Sequence, residues 1–478
     1  MASIKQLGKE TLIYGTSTIL ARLLNFCLVP FYTYYLVQAQ YGYISTTFAA
    51  IALLNVVFLF GMDQSFLRFA SEKDQKTDVF QHCFYMVLAN GAVLALLLWL
   101  FAKPAAVLFG IGAQNTHLLH LAAVILFLDV LNMIAFTKLR LERRAWYFAG
   151  VRTASIVVNV LGNIIFIAYL HKGIASILWA NIFASLASLL CLSPVIAREL
   201  LAKRPQFNAR LSAQMLRFAW PFVPSGLASL FVSVIDKPIL QHLVGPAQVG
   251  VYQANFKIGV FMMLLVSMFD QAWRPFFLTH AKEPDAKETF ARVFSYFFAL
   301  GSWFLLGLSF LMGPIIQSNI FGKFHLIGPA YWGGLHIIPL ILTGYFFYGL
   351  YINFMVGPVL TKKTRVLMWI TLLGAAVSIT TNLTLVPFTG ILGAGWAVAL
   401  SYGAMALALF TFTQKNYPIP YEYKKIFLMI LVCAGTASVV YALRTQPVAV
   451  ILGAKIALLT LYPALMFLIL RARATHSN

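Results

Sequence analysis

Nine ionisable residues interrupt otherwise apolar stretches of this 478-residue chain. Four are acids and five are bases: Asp63, Asp129, Asp236 and Asp270, with Arg22, Arg152, Lys237, Lys257 and Arg274. If these stretches lie in a bilayer, a charge at its centre costs about 2.5–3.5 kcal/mol even on the lenient insertion scale. Each of the nine must therefore face protein or water, and the nine are the candidate functional residues.

Several of these charges have an evident partner. Asp270 and Arg274 are four residues apart, the spacing of an ion pair within one helix. Together with Asp63 and Arg68, which lie at a corresponding place earlier in the chain, they are predicted to form a gate on the cytoplasmic side.

A second group of charges is predicted either to neutralise one another or to bind a coupling ion. Asp129 and Arg152 lie on neighbouring stretches and could pair across two helices. With Asp236 they are the predicted charge partners, and an acid among them could carry a proton or a sodium ion as the coupling ion.

Arg22 and Lys257 have no acid three or four residues away on the same stretch. With Lys237 they predict a cationic cleft, suited to an anionic ligand such as a phosphate or diphosphate. An Arg fork can bind phosphate oxygens in a bidentate manner, whereas a carrier of organic cations would need the opposite charge.

The composition indicates which elements must position these residues. Hydrophobic residues make up 61% of the chain and charged residues 10%, far from the usual balance of a soluble protein. The mean hydropathy is +0.83. About 14 transmembrane helices are predicted from the length, at residues 11–35, 41–66, 79–101, 116–137, 146–169, 173–196, 215–243, 250–279, 290–315, 330–360, 366–386, 390–412, 426–443 and 448–470.

The basic residues predict the orientation of these spans. With a cytoplasmic N-terminus and alternating spans, 25 of the 35 basic residues fall on the inner side and five on the outer side. This bias follows the positive-inside rule. It predicts a multi-pass membrane protein with both termini in the cytoplasm, and it explains the net charge of +21 without a nucleic-acid partner.

Two halves of the chain resemble each other in order. Residues 36–43 match 243–251 with one insertion, Asp63-Gln64 matches Asp270-Gln271, and a Gly-to-Trp spacing of six recurs at 173–179 and 390–396. Because each half holds an even number of spans, the repeats are parallel. The prediction is an all-α fold of two six-helix lobes around a central cleft, residues 1–210 and 211–413, with two extra C-terminal helices in 414–478.

Other classes of site have little support. The four cysteines lie singly and the nine histidines show no metal-ligand clustering, so we predict no metal and no cofactor. No GxxxxGK[ST] motif occurs, which disfavours ATP-driven transport.

Several motifs resemble those of the Wzx-type flippases of O-antigen and other polysaccharides. These proteins belong to the multidrug/oligosaccharidyl-lipid/polysaccharide (MOP) exporter superfamily. The motifs are GTS at 15–17 with RLLNF at 22–26, FGMD at 60–63 with LRF at 67–69, WPFVPSG at 220–226 with DK at 236–237, VGVY at 249–252, AWRPF at 272–276, TKKT at 361–364, and Asn382 with LVP at 385–387 and GILGA at 390–394. The resemblance covers about residues 10–410.

The resemblance implies a function and a fold. It implies a MATE-like flippase of the bacterial inner membrane, not an enzyme, that moves an undecaprenyl-diphosphate-linked oligosaccharide to the outer leaflet by alternating access. It further implies that an O-antigen polymerase and a chain-length regulator act with it. The family commonly has Asp-Arg where this chain has Asp236-Lys237, so a bidentate phosphate contact by Lys237 is in doubt.

Three alternatives stay open at this point. A lipid II flippase shares the architecture, including two extra C-terminal helices. A multidrug or cation antiporter would be expected to carry an acid early in the N-terminal lobe, where this chain has Arg22. A membrane glycosyltransferase, polymerase or ligase would need carboxylates near the reaction, yet the predicted outer loops contain no Asp or Glu.

Overall fold

The computed structural model describes residues 22–72, 76–170, 173–202, 208–319, 322 and 325–471. In this part of the chain every regular element is a helix. The helices up to residue 256 are α1 (residues 22–35), α2 (Gln38–Leu59), α3 (Met62–Glu72), α4 (Lys76–Leu100), α5 (Ala102–Leu108), α6 (Thr116–Leu141), α7 (Ala145–Ile164), α8 (Ala175–Leu201), α9 (Ala209–Ala219), α10 (Phe222–Val234), α11 (Asp236–Val244) and α12 (Pro246–Phe256). The later helices are α13 (Val260–His280), α14 (Ala286–Gln317), α15 (Ile338–Phe354), α16 (Val356–Leu360), α17 (Arg365–Thr389), α18 (Ile391–Asn416), α19 (Tyr423–Ala442) and α20 (Val448–Arg471).

The spans predicted from hydropathy are confirmed. Among the described residues, 13 helical segments are long and apolar enough to cross a membrane. The predicted first span, 11–35, falls partly outside the described residues, and its described part is α1. Long apolar segments must be helical in a bilayer because only a helix satisfies all its backbone groups internally. The fold is therefore an all-α, multi-pass membrane fold.

The chain folds as two compact units. Unit 1 comprises Met1–Gln253 with Val386–Gly390, and unit 2 comprises Ala254–Leu385 with Ile391–Asn478. The predicted lobe boundaries at residues 210 and 413 follow the sequence repeat and stay a prediction.

In unit 1, α6 packs against α2, α4 and α8, and α8 also packs along α7. Two of these contacts are polar. Asn132 on α6 donates from Nδ2 to the backbone oxygen of Ser185 on α8 at 2.9 Å, and Ser155 on α7 donates to the oxygen of Ala184 at 3.1 Å. Within a bilayer the hydrophobic effect does not drive helices together. Hydrogen bonds between spans therefore add to van der Waals packing in holding the helices in contact. They hold together α6, α7 and α8, three of the helices that surround the site described below.

In unit 2, α15 packs against α13, α14 and α18, and the C-terminal helices α19 and α20 pack against α14. The Trp303 indole on α14 donates to the backbone oxygen of Leu459 on α20 at 3.0 Å. The Tyr462 hydroxyl donates to Ser302 Oγ at 2.8 Å. These bonds anchor α20 to α14.

The repeat predicted from the sequence is matched by a reciprocal helix crossing inside unit 1. A Cβ on Gly42 of α2 would collide with the backbone oxygen of Pro246 on α12, and a Cβ on Gly250 would collide with the backbone oxygen of Gln38. Gly250 and Pro246 each lie 208 residues after Gly42 and Gln38. The residues in contact are therefore ones that the predicted repeat makes equivalent, as a local twofold relation would require.

Two short helices of unit 1, α3 and α9, are amphipathic and pack on each other. The Arg68 guanidinium of α3 lies 4.6 Å from the ring centre of Phe218 on α9. Asn208 caps α9 by accepting from the backbone N–H of Leu211 at 3.0 Å. Such an apolar face and polar face suit a helix at the membrane–water interface.

Candidate functional site

A polar cavity of about 320 Å³ lies inside unit 1, among α1, α2, α6, α7 and α8. Its walls are Asn25, Asn55, Asp129, Asn132, Met133, Phe136, Arg152, Ser155, Ile156, Asn159, Asn181, Ala184, Ser185 and Ser188. Five are asparagines, and most of the others are serines or charged residues. Polar side chains in a membrane protein are costly unless they face one another, water or a ligand, so this cavity is the candidate functional site.

A hydrogen-bonded chain fixes one wall of the cavity. Ser185 on α8 donates from Oγ to Asp129 Oδ1 on α6 at 2.5 Å. The backbone oxygen of Ser185 accepts from Asn132 Nδ2, one turn further along α6. Ser185 thereby holds both the carboxylate and the amide in place.

Arg152 lies on α7, with its guanidinium 5.0 Å from the ring centre of Phe136 on α6. The predicted ion pair between Arg152 and Asp129 is not formed, because Arg152 stacks on Phe136 while Asp129 accepts from Ser185. The two charges are nevertheless close enough to attract each other electrostatically. Sequence reasoning thus identified the two charges of the cavity but not how they are held.

Asp236 and Lys237, at the start of α11, form a buried ion pair. Lys237 Nζ lies 3.1 Å from Asp236 Oδ1, and the backbone N–H of Lys237 donates to the same oxygen at 3.0 Å. The Tyr252 hydroxyl of α12 donates to Asp236 Oδ2 at 2.6 Å. The two side chains are only 5% and 7% exposed, so each charge depends on the other.

The four predicted gate residues divide between the units. In unit 1, Asp63 is in the first turn of α3, where a carboxylate interacts favourably with the helix dipole. Arg68, on the same helix, contacts Phe218. In unit 2, the Arg274 Nε donates to Asp270 Oδ1 at 2.6 Å, which is the ion pair expected from their spacing. Its guanidinium also lies 3.9 Å from the sulfur of Met355.

The two predicted cleft cations occupy different elements. Arg22 is half-buried at the start of the described part of α1 in unit 1. Lys257 is half-buried in a single 3₁₀ turn, Lys257–Gly259, that joins α12 to α13 in unit 2. That turn is formed where Gly259 packs tightly against Tyr345 and Ile341.

The described residues hold no group of three or more His, Cys, Asp or Glu side chains that could bind a metal ion. The polar groups of the cavity include a single carboxylate, that of Asp129. Its chemistry is that of hydrogen-bond donors and acceptors around one acid and one base.

The cavity contains functional candidates that sequence reasoning missed, namely the asparagines Asn55, Asn132, Asn159 and Asn181. A signal was present, since each amide lies in a long apolar span where polar groups are scarce. Charge alone does not single out the uncharged amides that share the cavity with Asp129 and Arg152.

Comparison with known proteins places the chain in a family. Residues 7–279 match the family described as "Polysaccharide biosynthesis protein", and the chain belongs to it. The matched segment contains every residue that lines the cavity.

Individual relatives agree with this assignment. The succinoglycan biosynthesis transport protein ExoT of Rhizobium meliloti (strain 1021) is 24% identical over 233 residues, a match that covers 48% of this chain and 45% of that protein. Among solved structures, the lipid II flippase MurJ in an inward closed conformation has a TM-score of 0.75 at 17% identity, covering 95% of this chain and 98% of MurJ. An inward-facing multidrug resistance MATE family transporter of the MOP superfamily has a TM-score of 0.62 at 14% identity, covering 83% and 97%. The fold is that of MOP-superfamily transporters, as the sequence motifs implied.

Proposed function

We propose that this protein moves undecaprenyl-diphosphate-linked oligosaccharide repeat units, of O-antigen or another surface polysaccharide, from the cytoplasmic to the outer leaflet of a bacterial inner membrane. Both termini are proposed to lie in the cytoplasm, in keeping with the distribution of basic residues. The proposal is supported by family membership and by the relative that is a transport protein of succinoglycan biosynthesis.

The observation that carries the proposal is the polar cavity inside the family-matched segment. The lipid tail of such a substrate can stay in the bilayer, but its diphosphate and sugars cannot enter hydrocarbon without losing their hydrogen bonds to water. A passage for the head group therefore needs polar side chains at membrane depth. The described part of unit 1 supplies them on five helices.

Cationic side chains are proposed to bind the diphosphate while the protein moves the lipid by alternating access. Arg22 and Lys257 are the first candidates. Lys237 is the third, and its buried pair with Asp236 would have to open before its ammonium could contact a phosphate. Arg22 suits this role because its guanidinium can donate two parallel hydrogen bonds to phosphate oxygens.

The energy source is proposed to be a proton or sodium gradient, acting through Asp129 or Asp236, together with the membrane potential. An inside-negative potential drives an anionic head group outward with about 2.3 kcal/mol per charge per 100 mV. An O-antigen polymerase and a chain-length regulator are the proposed partners, because they would consume the product on the outer face.

Lipid II flipping is the second candidate, and the fold similarity to a lipid II flippase is the observation in its favour. Transport of drug-like cations is the third, and Arg22 and Arg152 stand against it because they would repel such a substrate.

Reconstituted transport distinguishes these candidates. Full-length protein in liposomes is supplied with fluorescent undecaprenyl-diphosphate oligosaccharide or with fluorescent lipid II, and the leaflet exposure of each lipid is followed by a membrane-impermeant quencher. We expect protein-dependent exposure of the oligosaccharide lipid and slower exposure of lipid II, with protein-free liposomes as control. Faster movement of lipid II would favour the second candidate, and movement of neither lipid would contradict the proposal.

A further inference from the structure

Several polar side chains of the cavity have hydrogen-bonding capacity that the surrounding helices do not use. The amides of Asn55 on α2 and Asn181 on α8 make no hydrogen bond to any described residue. The Arg152 guanidinium likewise has no hydrogen bond or ion pair within the described part of the chain, and its stated contact is with the Phe136 ring. These three groups lie on three different helices and face one space.

The wall formed by α6 adds acceptor groups. Asn132 is 5% exposed, and while its Nδ2 donates to Ser185, its Oδ1 is buried and accepts no hydrogen bond. Asp129 uses Oδ1 to accept from Ser185. A buried polar atom without a hydrogen-bond partner destabilises the fold. A ligand that donates a hydrogen bond to Asn132 Oδ1 would remove this cost.

The charges of the cavity narrow the chemistry of the ligand. Arg152 and Asp129 bring one basic and one acidic side chain to the same cavity. A small inorganic cation is repelled by Arg152 although Asp129 attracts it, and a phosphate is repelled by Asp129 although Arg152 attracts it, so neither gains a strong net attraction. An uncharged molecule with many hydroxyl groups avoids both penalties.

The remaining lining fits a sugar ring. Amides and serine hydroxyls both donate and accept, as each sugar hydroxyl does. Ile156 and Met133 supply an apolar surface for the C–H face of a ring. At about 320 Å³ the cavity lies at the low end of the range for small-molecule sites, roughly 300–1,000 Å³. That size suits one sugar residue better than a whole oligosaccharide.

We propose that this cavity binds one uncharged sugar residue of the glycan head group, with Asn55 and Asn181 as specificity-determining residues that hydrogen-bond its hydroxyls. The inference rests on the proposed function, since it assigns part of the same substrate to unit 1. The diphosphate is bound elsewhere, by the cleft cations.

The test compares a lipid that carries sugars with one that does not. Purified full-length protein is incubated with the lipid-linked oligosaccharide extract of its native organism, to which undecaprenyl diphosphate is added, and bound lipids are counted by native mass spectrometry. The wild type is expected to bind the glycolipids at least about tenfold better than undecaprenyl diphosphate, the effect of one or two hydrogen bonds. The Asn55→Leu/Asn181→Leu double variant is expected to bind both lipids equally, with its affinity for undecaprenyl diphosphate unchanged.

The matched control is Asn416→Leu, the same chemical change in unit 2 at a residue whose Oδ1 accepts from Lys363 at 2.7 Å; it should keep the wild-type preference. The single variants Asn55→Ala and Asn181→Ala are measured in the same way if the double variant does not fold. Equal binding of both lipids by the wild type, or an undiminished preference in the variants, would overturn the sugar site. A wild type that binds neither lipid would instead contradict the proposed function.

Discussion

At the scale of single residues, Arg22 and Lys257 carry the proposed electrostatic attraction for the head group. We expect Arg22→Glu and Lys257→Glu each to abolish display of the glycan at the cell surface, because reversing the charge repels a diphosphate where the native residue attracts it. Display is measured by glycan-specific antibody on cells deleted for the native gene, and insertion by the amount of protein in washed membranes.

The control for both variants is Lys415→Glu, which makes the same change at an exposed residue at the C-terminal end of α18. It should leave display unchanged. If both Glu variants at Arg22 and Lys257 retained full display, the assignment of a cationic cleft would be wrong.

Asp236 and Lys237 allow stability to be separated from substrate binding. Lys237→Met should destabilise the protein by about 3–5 kcal/mol, because it leaves a buried carboxylate without its counter-ion. Tyr252→Phe should cost less, about 1.5–3 kcal/mol, since it removes one hydrogen bond to that carboxylate.

The double variant Asp236→Asn/Lys237→Met removes both charges and should melt close to the wild type. Melting temperatures in detergent, followed by tryptophan fluorescence, give the order of the three variants. A Lys237→Met protein as stable as the wild type would show that the pair does not stabilise the fold. A stable double variant that no longer transports would support the proposed role of Lys237 or Asp236 in function.

The residue scale also shows what charge patterns can predict. Asp129 and Arg152 were identified from their cost in a membrane, and they do share a cavity. Their partners, Ser185 and Phe136, could not be predicted, because serine and phenylalanine are ordinary residues in apolar spans. Which side chain a buried charge contacts depends on helix rotation, which hydropathy does not specify.

At the scale of elements, the crossing of α2 and α12 depends on two glycines. Gly42→Ala and Gly250→Ala should each destabilise the protein by about 1–3 kcal/mol, because the new methyl group meets a backbone oxygen that no side-chain movement can relieve. The measurement is again the melting temperature in detergent.

Gly435→Ala in α19 is the matched control, since a Cβ there meets nothing within 4 Å. Replacing an unhindered helical glycine by alanine should be neutral or stabilising by about 0.5–1 kcal/mol. Equal melting of the three variants would mean that α2 and α12 are not in tight contact in the membrane.

Helix positions were predicted well from hydropathy, whereas interruptions within spans were not. The seventh predicted span, residues 215–243, is divided into α9, α10 and α11, with breaks near Pro221 and Ile235. The proline was visible as a helix breaker. The second break precedes Pro238, which has no N–H to donate and whose ring would clash with the backbone oxygen of Val234, so this break too was visible in the sequence.

At the scale of the whole molecule, the orientation in the membrane is predicted from the distribution of basic residues, and cysteine labelling tests it. In a variant with all four cysteines replaced, Lys103→Cys and Arg444→Cys should react with a membrane-impermeant maleimide in intact cells. Arg144→Cys and Lys415→Cys should react only after permeabilisation. All four positions are exposed, so their reactivity reports the side of the membrane and not burial. The opposite pattern would reverse the topology and, with it, the proposed direction of transport.

The fold class was predictable at this scale because composition and span number are properties of the whole chain. The division into compact units was less so. The repeat suggests an equivalence of two halves, yet unit 1 extends to Gln253 because α10 and α11 pack along α2. A repeat identifies which segments are related, and packing decides which of them are held together.

The reciprocal contact of Gly42 with Pro246 and of Gly250 with Gln38 bears on ancestry. A surface whose every contact recurs with the roles exchanged is the kind through which identical subunits associate as a homodimer. Gene fusion of two such subunits would link surfaces that were already complementary and leave the remaining helices free to diverge. In such a homodimer, one glycine per subunit would have allowed the close approach that Gly42 and Gly250 allow here.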